Sequence, residues 1–414
     1  MTTVDAKATN ADDLTAAARQ RVVPLIHRIL EERARATRMT LVFDLFCRQL
    51  CDLGLAVDRA TLSIGQLHPQ LAARTILWER EAGGAVEVGR QHGVLDTAGY
   101  QLSPIRRIHE GSPPIRRRLA LPDCPHDFPV LDDLAAQDYT DYYLMPLRFS
   151  TGLIQTMGFA SKAPDGFSDL DIATIHAALP AFAAVVELRH VLATARGLLE
   201  TYVGPNTGAR ILDGAIKRGD GTTIHAVVWL CDLRDFTALS ERLPYADMLD
   251  LLNAYFDCMS APVQARGGEI LKFIGDAMLA IFPCEATGDA LTQAADQAIA
   301  AAEDAVTALA EINRERANSG APLLRCGIAL HVGEVMYGNI GSANRLDYTV
   351  IGPTVNLVSR LEPLTAVHDV PIVVSADIAA ASRRAVRSLG RHDLKGIAGK
   401  REAFTLKKGD SPLF

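Results

Sequence analysis

The chain has 414 residues, of which 49% are hydrophobic and 22% are charged. This length suffices for two or three domains, and this balance builds packed cores, so collagen-like, low-complexity and wholly disordered chains are excluded. The formal net charge is −7, and neither half of the chain has the basic excess that binding to a nucleic-acid backbone usually needs. We therefore expect no nucleic-acid partner.

No targeting or membrane signal stands out in the sequence. The N-terminus lacks the basic start and apolar core of a secretory signal, and no unbroken apolar run approaches the ~20 residues that cross a bilayer. Seven cysteines without framework spacing fit a reducing compartment. Cys47 and Cys51 could share a helical face as core residues or as a redox pair, and no Cys/His group has zinc spacing. We expect a cytoplasmic protein without membrane contact.

The first half of the chain predicts helices around one antiparallel sheet. Residues 1–13 are polar and are predicted to be disordered. Apolar periodicity predicts helices over 14–55 and from about Ser168 to 203. This order of elements is typical of an α+β domain. The predicted strands are 60–67, 74–81, 138–149 and 153–160.

The stretch MPL…GFAS…GFSDLDIATI and the order of elements resemble a GAF-type sensor domain over roughly residues 35–190. The resemblance implies a pocket for a cyclic nucleotide, a small metabolite or a chromophore, or a fold without a ligand. We place a GAF-like regulatory domain at 14–188 and a helical or coiled-coil linker at 189–221. The arginines of this half that could bind an anion, or form a solvated face, are Arg106, Arg107, Arg116, Arg117 and Arg118.

Two acidic residues of the second half occupy positions where a sheet can hold a cation. The apolar run 225–230 predicts a buried strand that ends near Asp232 and turns into a helix. Further along, EILKFIGDAMLAIF predicts a hairpin with Asp276 at its tip. The two carboxylates could hold a hard divalent cation such as Mg²⁺, although each alone is also explained as an ordinary turn residue.

Three more polar side chains of this half need an explanation. Lys272 lies inside a strand of Ile, Leu and Phe, so it requires a partner. Pro353 is placed to begin a helix, on which Asn356 and Arg360 share one face. An amide and a guanidinium there could orient a sugar and neutralise a phosphoryl group, or could serve as a capping residue and a solvent-facing cation.

Together, the segments CDLRDFTALSE, GGEILKFIGDAMLAIF, CGIALHVGEV and DYTVIGPTVNLVSRLE resemble a class III nucleotidyl cyclase catalytic domain over 222–408, followed by a tail at 409–414. The resemblance implies a ferredoxin-like βαββαβ core and a head-to-tail homodimer with active sites in its interface. The whole chain would then be an α+β protein with a GAF-like domain, a helical linker and a cyclase domain.

The resemblance also implies roles for individual residues. Two Mg²⁺ or Mn²⁺ ions per active site would be held by Asp232 and Asp276, with help from the backbone carbonyl of Leu233. Phe236 and Thr237 would lie on the loop around the triphosphate. The bound ions would activate the ribose 3′-hydroxyl and neutralise the triphosphate during in-line attack on the α-phosphorus.

The remaining implied roles concern the nucleotide. Asn356 would orient the ribose, and Arg360 would stabilise the pentavalent transition state. Lys272 matches the purine-reading lysine, and Thr349 resembles the threonine that a subgroup pairs with it to read adenine. A phosphate-binding lysine is expected near the C-terminus, where Lys400 is preferred over Lys395.

These expectations define an adenylate cyclase that converts ATP to 3′,5′-cyclic AMP and pyrophosphate under control of the N-terminal domain. A small molecule or bicarbonate is the expected regulator. The alternatives are a cyclase for GTP or a pyrimidine nucleotide, and a catalytically silent nucleotide-binding module. The Gly-Gly-acidic-Glu-Phe hairpin of diguanylate cyclases is absent from the sequence.

Overall fold

The computed structural model of the chain describes residues 4–32 and 38–407. It divides into two compact units, Met1–Leu198 and Leu199–Phe414. The tail predicted at 409–414 lies outside the described residues. The first helix begins at Val4, so residues 4–13, predicted to be disordered, are helical in the structure. Alanine-rich sequence with few helix breakers accounts for this difference.

The first unit is built on one six-stranded antiparallel sheet in the order β3-β2-β1-β6-β5-β4. The four predicted strands are confirmed, whereas β3 and β4 were not predicted. Its helices are α1 (Val4–Glu32), α2 (Met39–Asp52), α3 (Ala98–Gln101), α4 (Pro104–His109), α5 (Pro129–Ala135) and α6 (Asp169–Val203). Its strands are β1 (Arg59–Gly65), β2 (Leu71–Glu79), β3 (Gly84–Gln91), β4 (Ile115–Arg117), β5 (Asp141–Arg148) and β6 (Ile154–Ser161).

The two faces of this sheet are covered differently. Alternate residues of β1, including Leu62 and Ile64, are buried in a core shared with α1, α2 and α6. The opposite face is partly covered by a smaller core that includes Ile108 of α4 and Leu134 of α5. The seven cysteines are free, and Cys47 is fully buried in the larger core, which favours the core interpretation of that residue.

Helix α6 begins where the sequence predicts it. The Ser168 hydroxyl accepts from the Asp171 backbone N–H at 3.1 Å, and the Asp171 carboxylate accepts from the Ser168 backbone N–H at 3.0 Å, which is a capping box. The helix has the length and apolar composition of a membrane-crossing helix, with 39% of its most apolar window buried. Ile175 and Phe182 of this helix are buried in the core of the first unit.

Three of the five arginines singled out in the sequence make close internal ion pairs. Arg116 donates to the fully buried carboxylate of Asp141 at 2.7 Å. Arg117 lies 2.6 Å from a carboxylate oxygen of Asp127. Arg106 likewise pairs with Glu110 at 2.7 Å. These pairs argue against an anion site at these three side chains.

The second unit contains an eight-stranded sheet whose main path runs β13-β14-β12-β10-β7-β9-β8, with β11 paired to β10. The chain order β7-α9-β8-β9-α10-β10 is the βαββαβ arrangement that the resemblance implied. Its helices are α7 (Pro205–Leu212), α8 (Phe236–Ser240), α9 (Tyr245–Ala265), α10 (Asp289–Asn318), α11 (Pro353–Leu361), α12 (Leu364–Val367) and α13 (Ala376–Ala381). Its strands are β7 (Gly221–Leu233), β8 (Glu269–Ile274), β9 (Ala277–Cys284), β10 (Cys326–Gly341), β11 (Leu346–Ile351), β12 (Ile372–Ser375), β13 (Val386–His392) and β14 (Arg401–Leu406).

Strand β7 lies in the middle of this sheet, and its alternating residues serve two cores. Val227, Trp229 and Cys231 pack in the core that contains α9 and α10. Ala226 and Val228 pack in the opposite core, which contains residues of α11. This arrangement holds the C-terminal end of β7, where the candidate site begins, between two packed layers.

Candidate functional site

Two carboxylates meet at one end of the central strand. Asp232 lies near the C-terminal end of β7, next to the pair formed by Cys231 and Met278 of β9. Asp276 follows Gly275, whose φ of +65° allows the tight turn between β8 and β9. The hairpin prediction is therefore confirmed, and its tip brings the Asp276 carboxyl close enough to that of Asp232 to raise its pKa.

The environment of this pair disfavours negative charge. Burial raises the pKa of Asp232 to about 7, aided by the hydrogen bond and charge repulsion from Asp276 and by the nearby charge of Glu362. Neighbouring carboxylates that repel each other could hold a hard divalent cation such as Mg²⁺ or Mn²⁺. Across residues 4–32 and 38–407, no group of three or more His, Cys, Asp or Glu side chains could hold a metal ion. A cation at the pair would therefore take its remaining ligands from substrate oxygens, backbone or water.

A second group of polar side chains lies on β8 and β11. The Lys272 ammonium is 3.2 Å from a carboxylate oxygen of Asp347, which supplies the partner that the apolar strand required. Thr349 follows two residues later on β11, so it shares a strand face with Asp347. Thr349 is only 3% exposed, and its hydroxyl has no hydrogen-bond partner in the part of the chain that the structure describes.

Helix α11 presents the third part of the candidate site. Asn356 and Arg360 are both exposed, one turn apart on the same face. The helix is anchored at its start by Thr354, whose hydroxyl donates to the backbone carbonyl of Glu334 at 2.6 Å. Within the described ranges, no hydrogen bond or ion pair engages the side chain of Asn356 or of Arg360, so both groups are free to bind a ligand.

The register of the sheet separates the acidic pair from Thr349. Asp232 lies opposite Gly327 on β10, whereas Thr349 lies opposite Gly338, which in turn faces Gly221. Position 232 is eleven residues after position 221 on the same strand. By this register, Thr349 lies at the level of the first residue of β7, whereas Asp232 lies near the last. The Lys272–Asp347 pair joins β11 to the hairpin whose tip carries Asp276, so the separation along β7 is not the distance between the two groups through space.

The other predicted residues occupy the surroundings of these groups. Leu233 ends β7, and its backbone lowers the pKa of Asp232, which favours the charged form. Phe236 and Thr237 begin the short helix α8 directly after β7. Lys395 and Lys400 are both exposed on the connection between β13 and β14, so the preference for Lys400 stays a prediction.

Two residues near the site were missed by the sequence analysis. Asp347 pairs with Lys272, and its only signal was the requirement that a lysine in an apolar strand have a partner. Glu362 follows α11 close to the acidic pair, and burial raises its pKa, with a further contribution from the charge of Asp276. In the sequence, Glu362 looks like an ordinary acidic residue at the end of a helix, so no local pattern marked it as part of a site.

Comparison with known proteins identifies this unit. Residues 222–408 match the family described as the adenylate and guanylate cyclase catalytic domain. This segment is a class III cyclase catalytic domain. An adenylate cyclase of Anabaena cylindrica is 34% identical over 167 residues, covering 39% of this chain and 32% of that protein. Adenylate cyclase 1 of Rhizobium meliloti is 32% identical, covering 40% of this chain and 25% of its own. The chain thus spans about a third or less of these relatives.

Solved structures of an adenylyl cyclase and of a guanylyl cyclase are both similar to the cyclase domain. A bacterial light-regulated adenylyl cyclase is 27% identical with a TM-score of 0.46, over 54% of this chain and 64% of that one. The guanylyl cyclase Cya2 is 31% identical with a TM-score of 0.41, over 46% of this chain and 96% of that one.

The unpartnered hydroxyl of Thr349 has a consequence for stability. We predict that Thr349→Val raises the free energy of unfolding by about 1 kcal/mol, because it removes a buried polar group that has no partner. The matched change Thr354→Val should lower it by about 1–2 kcal/mol, because that hydroxyl donates to Glu334. Urea denaturation followed by Trp229 fluorescence in a Trp78→Phe background measures both. Equal destabilisation by the two changes would contradict the difference in hydrogen bonding.

Proposed function

We propose that the chain is an adenylate cyclase that converts ATP to 3′,5′-cyclic AMP and pyrophosphate. The observation that carries the proposal is the buried, unpartnered hydroxyl of Thr349 beside Lys272 and Asp347. A lysine donates to a ring nitrogen of adenine, and a threonine hydroxyl accepts from the exocyclic amino group. The curated relatives named adenylate cyclases support the same substrate.

GTP is the second candidate substrate, because Asp347 places a carboxylate acceptor in the same region. Guanine presents two adjacent N–H donors, which a carboxylate can accept together. In the structure, however, that carboxylate is engaged by Lys272. ATP is the better match because the Thr349 hydroxyl, the group without a partner, can accept from the amino group of adenine.

The reaction would use the acidic pair and helix α11 on one nucleotide. Two Mg²⁺ or Mn²⁺ ions at Asp232 and Asp276, with the Leu233 carbonyl, would when bound lower the pKa of the 3′-hydroxyl and neutralise the triphosphate. Asn356 orients the ribose, so that its 3′-oxygen points at the α-phosphorus. Arg360 donates to the α-phosphoryl oxygens as charge develops on them.

The proposed reaction forms one bond and breaks one bond, and further residues would contact the triphosphate. The new bond joins the 3′-oxygen to the α-phosphorus, the bond to the β-phosphate oxygen breaks, and the hydroxyl proton leaves to solvent. Phe236 and Thr237, at the start of α8, lie close enough in sequence to Asp232 to contact the triphosphate. An exposed lysine of the β13–β14 connection, Lys400, would bind a terminal phosphate.

The proposed active form is a homodimer. Lys272 and Asp276 lie four residues apart on one hairpin, too close for both to face one site easily, so in the proposed dimer a second copy brings its own β11 and α11 to the acidic pair. The hairpin that carries Asp276 also exposes Phe273 and Ile274 by 51% and 52%. Large apolar side chains exposed at the end of a strand are suited to contact with another protein surface.

We further propose that the first unit is a GAF-like domain that regulates the cyclase in the cytoplasm, in response to a small molecule or bicarbonate. The six-stranded antiparallel sheet between helices supports a GAF-like fold. Helix α6 continues from this unit beyond Leu198, and Leu188, Val191 and Leu192 on it are exposed by about half. Their helical spacing suits a parallel coiled coil in the dimer.

A product assay tests the proposed reaction. The full chain is incubated with ATP, GTP, CTP or UTP and with Mg²⁺ or Mn²⁺, and products are identified by chromatography and mass analysis. We predict cyclic AMP from ATP, with losses of about 100-fold or more in Asp232→Ala and Asp276→Ala. The exposed Asp250→Ala on α9 serves as the matched control and should keep full activity. Cyclic GMP as the main product would overturn the ATP assignment, and no product from any nucleotide would favour a silent module.

Deletions in α6 test regulation through the helix. Removing two residues from 189–196 rotates the later part of α6 about the helix axis by about 200° relative to the earlier part. Removing seven residues changes this rotation by only about 20°. We predict that the two-residue deletion changes the cyclase rate several-fold and that the seven-residue deletion restores it to near the wild-type rate. Equal rates in both deletions and the wild type would show that α6 does not transmit a signal.

A further inference from the structure

Two histidines from separate segments meet at the surface of the second unit and form what we call the histidine pair. His368 directly follows α12, His392 is the last residue of β13, and their Nε2 atoms are 3.2 Å apart. The ring centroids are 4.9 Å apart, and the ring planes cross at 79°. Both side chains are partly exposed, so solvent reaches the pair. None of the roles proposed for the cyclase site uses either ring.

The spacing of the two rings fits a shared metal ion. An ion about 2.0–2.1 Å from each of two imidazole nitrogens, at a near-tetrahedral angle, holds those nitrogens about 3.3 Å apart and the ring centroids about 5 Å apart. The observed separations of 3.2 Å and 4.9 Å agree with both values. A head-on hydrogen bond of the same length would instead hold the centroids about 5.5 Å apart. The rings are therefore inclined to each other, as two ligands of one ion are.

Hydrogen bonding alone does not satisfy every atom at the histidine pair. His392 Nε2 also lies 3.1 Å from the backbone carbonyl oxygen of Leu389. A neutral imidazole has one N–H donor and one acceptor nitrogen, so a proton on His392 Nε2 is shared between that carbonyl and His368 Nε2. A proton on His368 Nε2 instead leaves the carbonyl without this donor. A metal ion would accept the lone pairs of both nitrogens at once, and the Leu389 oxygen could serve as a further ligand.

The backbone that carries each of the two rings is anchored. Two residues after each histidine, Val370 and Leu394 are buried in the same core. The backbone N–H of His368 donates to the carbonyl of Leu364 at 3.0 Å. Asp369 then takes a φ of +49°, a left-handed conformation that turns the chain sharply after α12. Because the rings are held in place before binding, less conformational entropy is lost when an ion binds.

Two imidazoles select a different ion from the acidic pair. Imidazole nitrogens suit Zn²⁺, Cu²⁺ and Ni²⁺, whereas carboxylates and water suit Mg²⁺ and Mn²⁺. Among the described residues, no third His, Cys, Asp or Glu side chain completes a metal-binding group, so the remaining coordination positions would be taken by water or backbone oxygen. Each histidine is followed in sequence by an exposed carboxylate, Asp369 or Asp393, which adds negative charge nearby.

We propose that His368 and His392 bind one divalent transition-metal ion, Zn²⁺ above all, at a site that shares no residue with the acidic pair. The ion joins the end of α12 to the end of β13. Because Lys395 and Lys400 lie on the connection that leaves β13, the ion also restrains that connection. The proposal concerns metal binding and holds whether or not this unit turns over nucleotide.

Competition for Zn²⁺ between the purified full-length chain and a chromophoric chelator tests the site. An Asp276→Ala background removes binding at the acidic pair. We expect one Zn²⁺ per chain in that background. His368→Gln and His392→Gln should each weaken Zn²⁺ binding about tenfold or more, and the double variant should bind no more weakly than either single one, because a lone imidazole no longer chelates the ion. His92→Gln, an exposed histidine of the first unit, is the matched control and should leave Zn²⁺ binding unchanged.

Limited digestion with trypsin tests the restraint on the connection. Lys395 and Lys400 are exposed there and are sites of cleavage. Zn²⁺ should slow cleavage after both lysines about threefold or more in the Asp276→Ala chain, and should not slow it when His392→Gln is added. Cleavage after the exposed Lys217 in the same digest should keep its rate, which controls for any effect of Zn²⁺ on the protease. Mg²⁺ should protect none of these sites.

Three results would overturn parts of the proposal. Zn²⁺ binding that stays unchanged in both His368→Gln and His392→Gln would overturn the site. Weaker binding in only one of the two variants would overturn the shared ion. Weaker binding in both, with no protection of Lys395 and Lys400 by Zn²⁺ in the parent chain, would overturn the restraint of the connection. Because both rings are partly exposed, the variants should keep the thermal midpoint of the metal-free parent, and because no readout uses nucleotide, the results are independent of the cyclase assignment.

Discussion

The pairing of β7 with β10 is the constraint on which the candidate active site depends. The two strands are antiparallel from Gly221 to Leu233 without a register shift. Both faces of β7 are packed, so its ends cannot approach each other. Asp232 lies near one end of this pairing, and Thr349 lies opposite Gly338 at the level of the other end. In the proposed dimer, each chain would contribute one half-site with the acidic pair and one half-site with β11 and α11.

Each half-site contains polar groups that lack a favourable partner in the free protein. A bound nucleotide and its metal ions would supply those partners. Asp232 lies close to Asp276, although burial and repulsion from Asp276 oppose its ionisation. The Thr349 hydroxyl is buried without a partner in the described part of the chain. Such groups cost stability in the free protein, and they are typical of sites shaped for a ligand rather than for folding.

Local rules predicted most of the elements that carry the site. A buried strand ending near Asp232, the Gly-Asp hairpin and the proline-initiated helix α11 each depend on neighbours in sequence, and all three are present. The N-terminal segment was predicted as disordered from its polarity, whereas alanine-rich helix propensity prevailed in α1. The edge strand β3 is largely exposed, and its apolar and polar residues alternate only weakly. The sequence pattern could therefore not indicate a strand there.

The contacts that depend on tertiary structure could not be predicted in this way. Asp347 is far from Lys272 in sequence, and only the pairing of β11 with β10 brings it within reach. Glu362 approaches the acidic pair because α11 packs on the sheet, which no local pattern encodes. A cavity in the first unit depends on how three short helices cover one sheet face, and the sequence suggested only that a pocket could exist.

Complementation between two inactive variants tests the split site most directly. Asp232→Ala leaves the β11 and α11 half-site intact, and Asn356→Ala leaves the acidic half-site intact. Mixing the two chains under subunit exchange should restore about one quarter of the wild-type cyclase activity, because half of the dimers are mixed and each carries one complete site. A mixture of Asp232→Ala with Asp276→Ala, which damage the same half-site, should stay inactive. If the first mixture is as inactive as its components while exchange is shown to occur, the division of the site between two chains is contradicted.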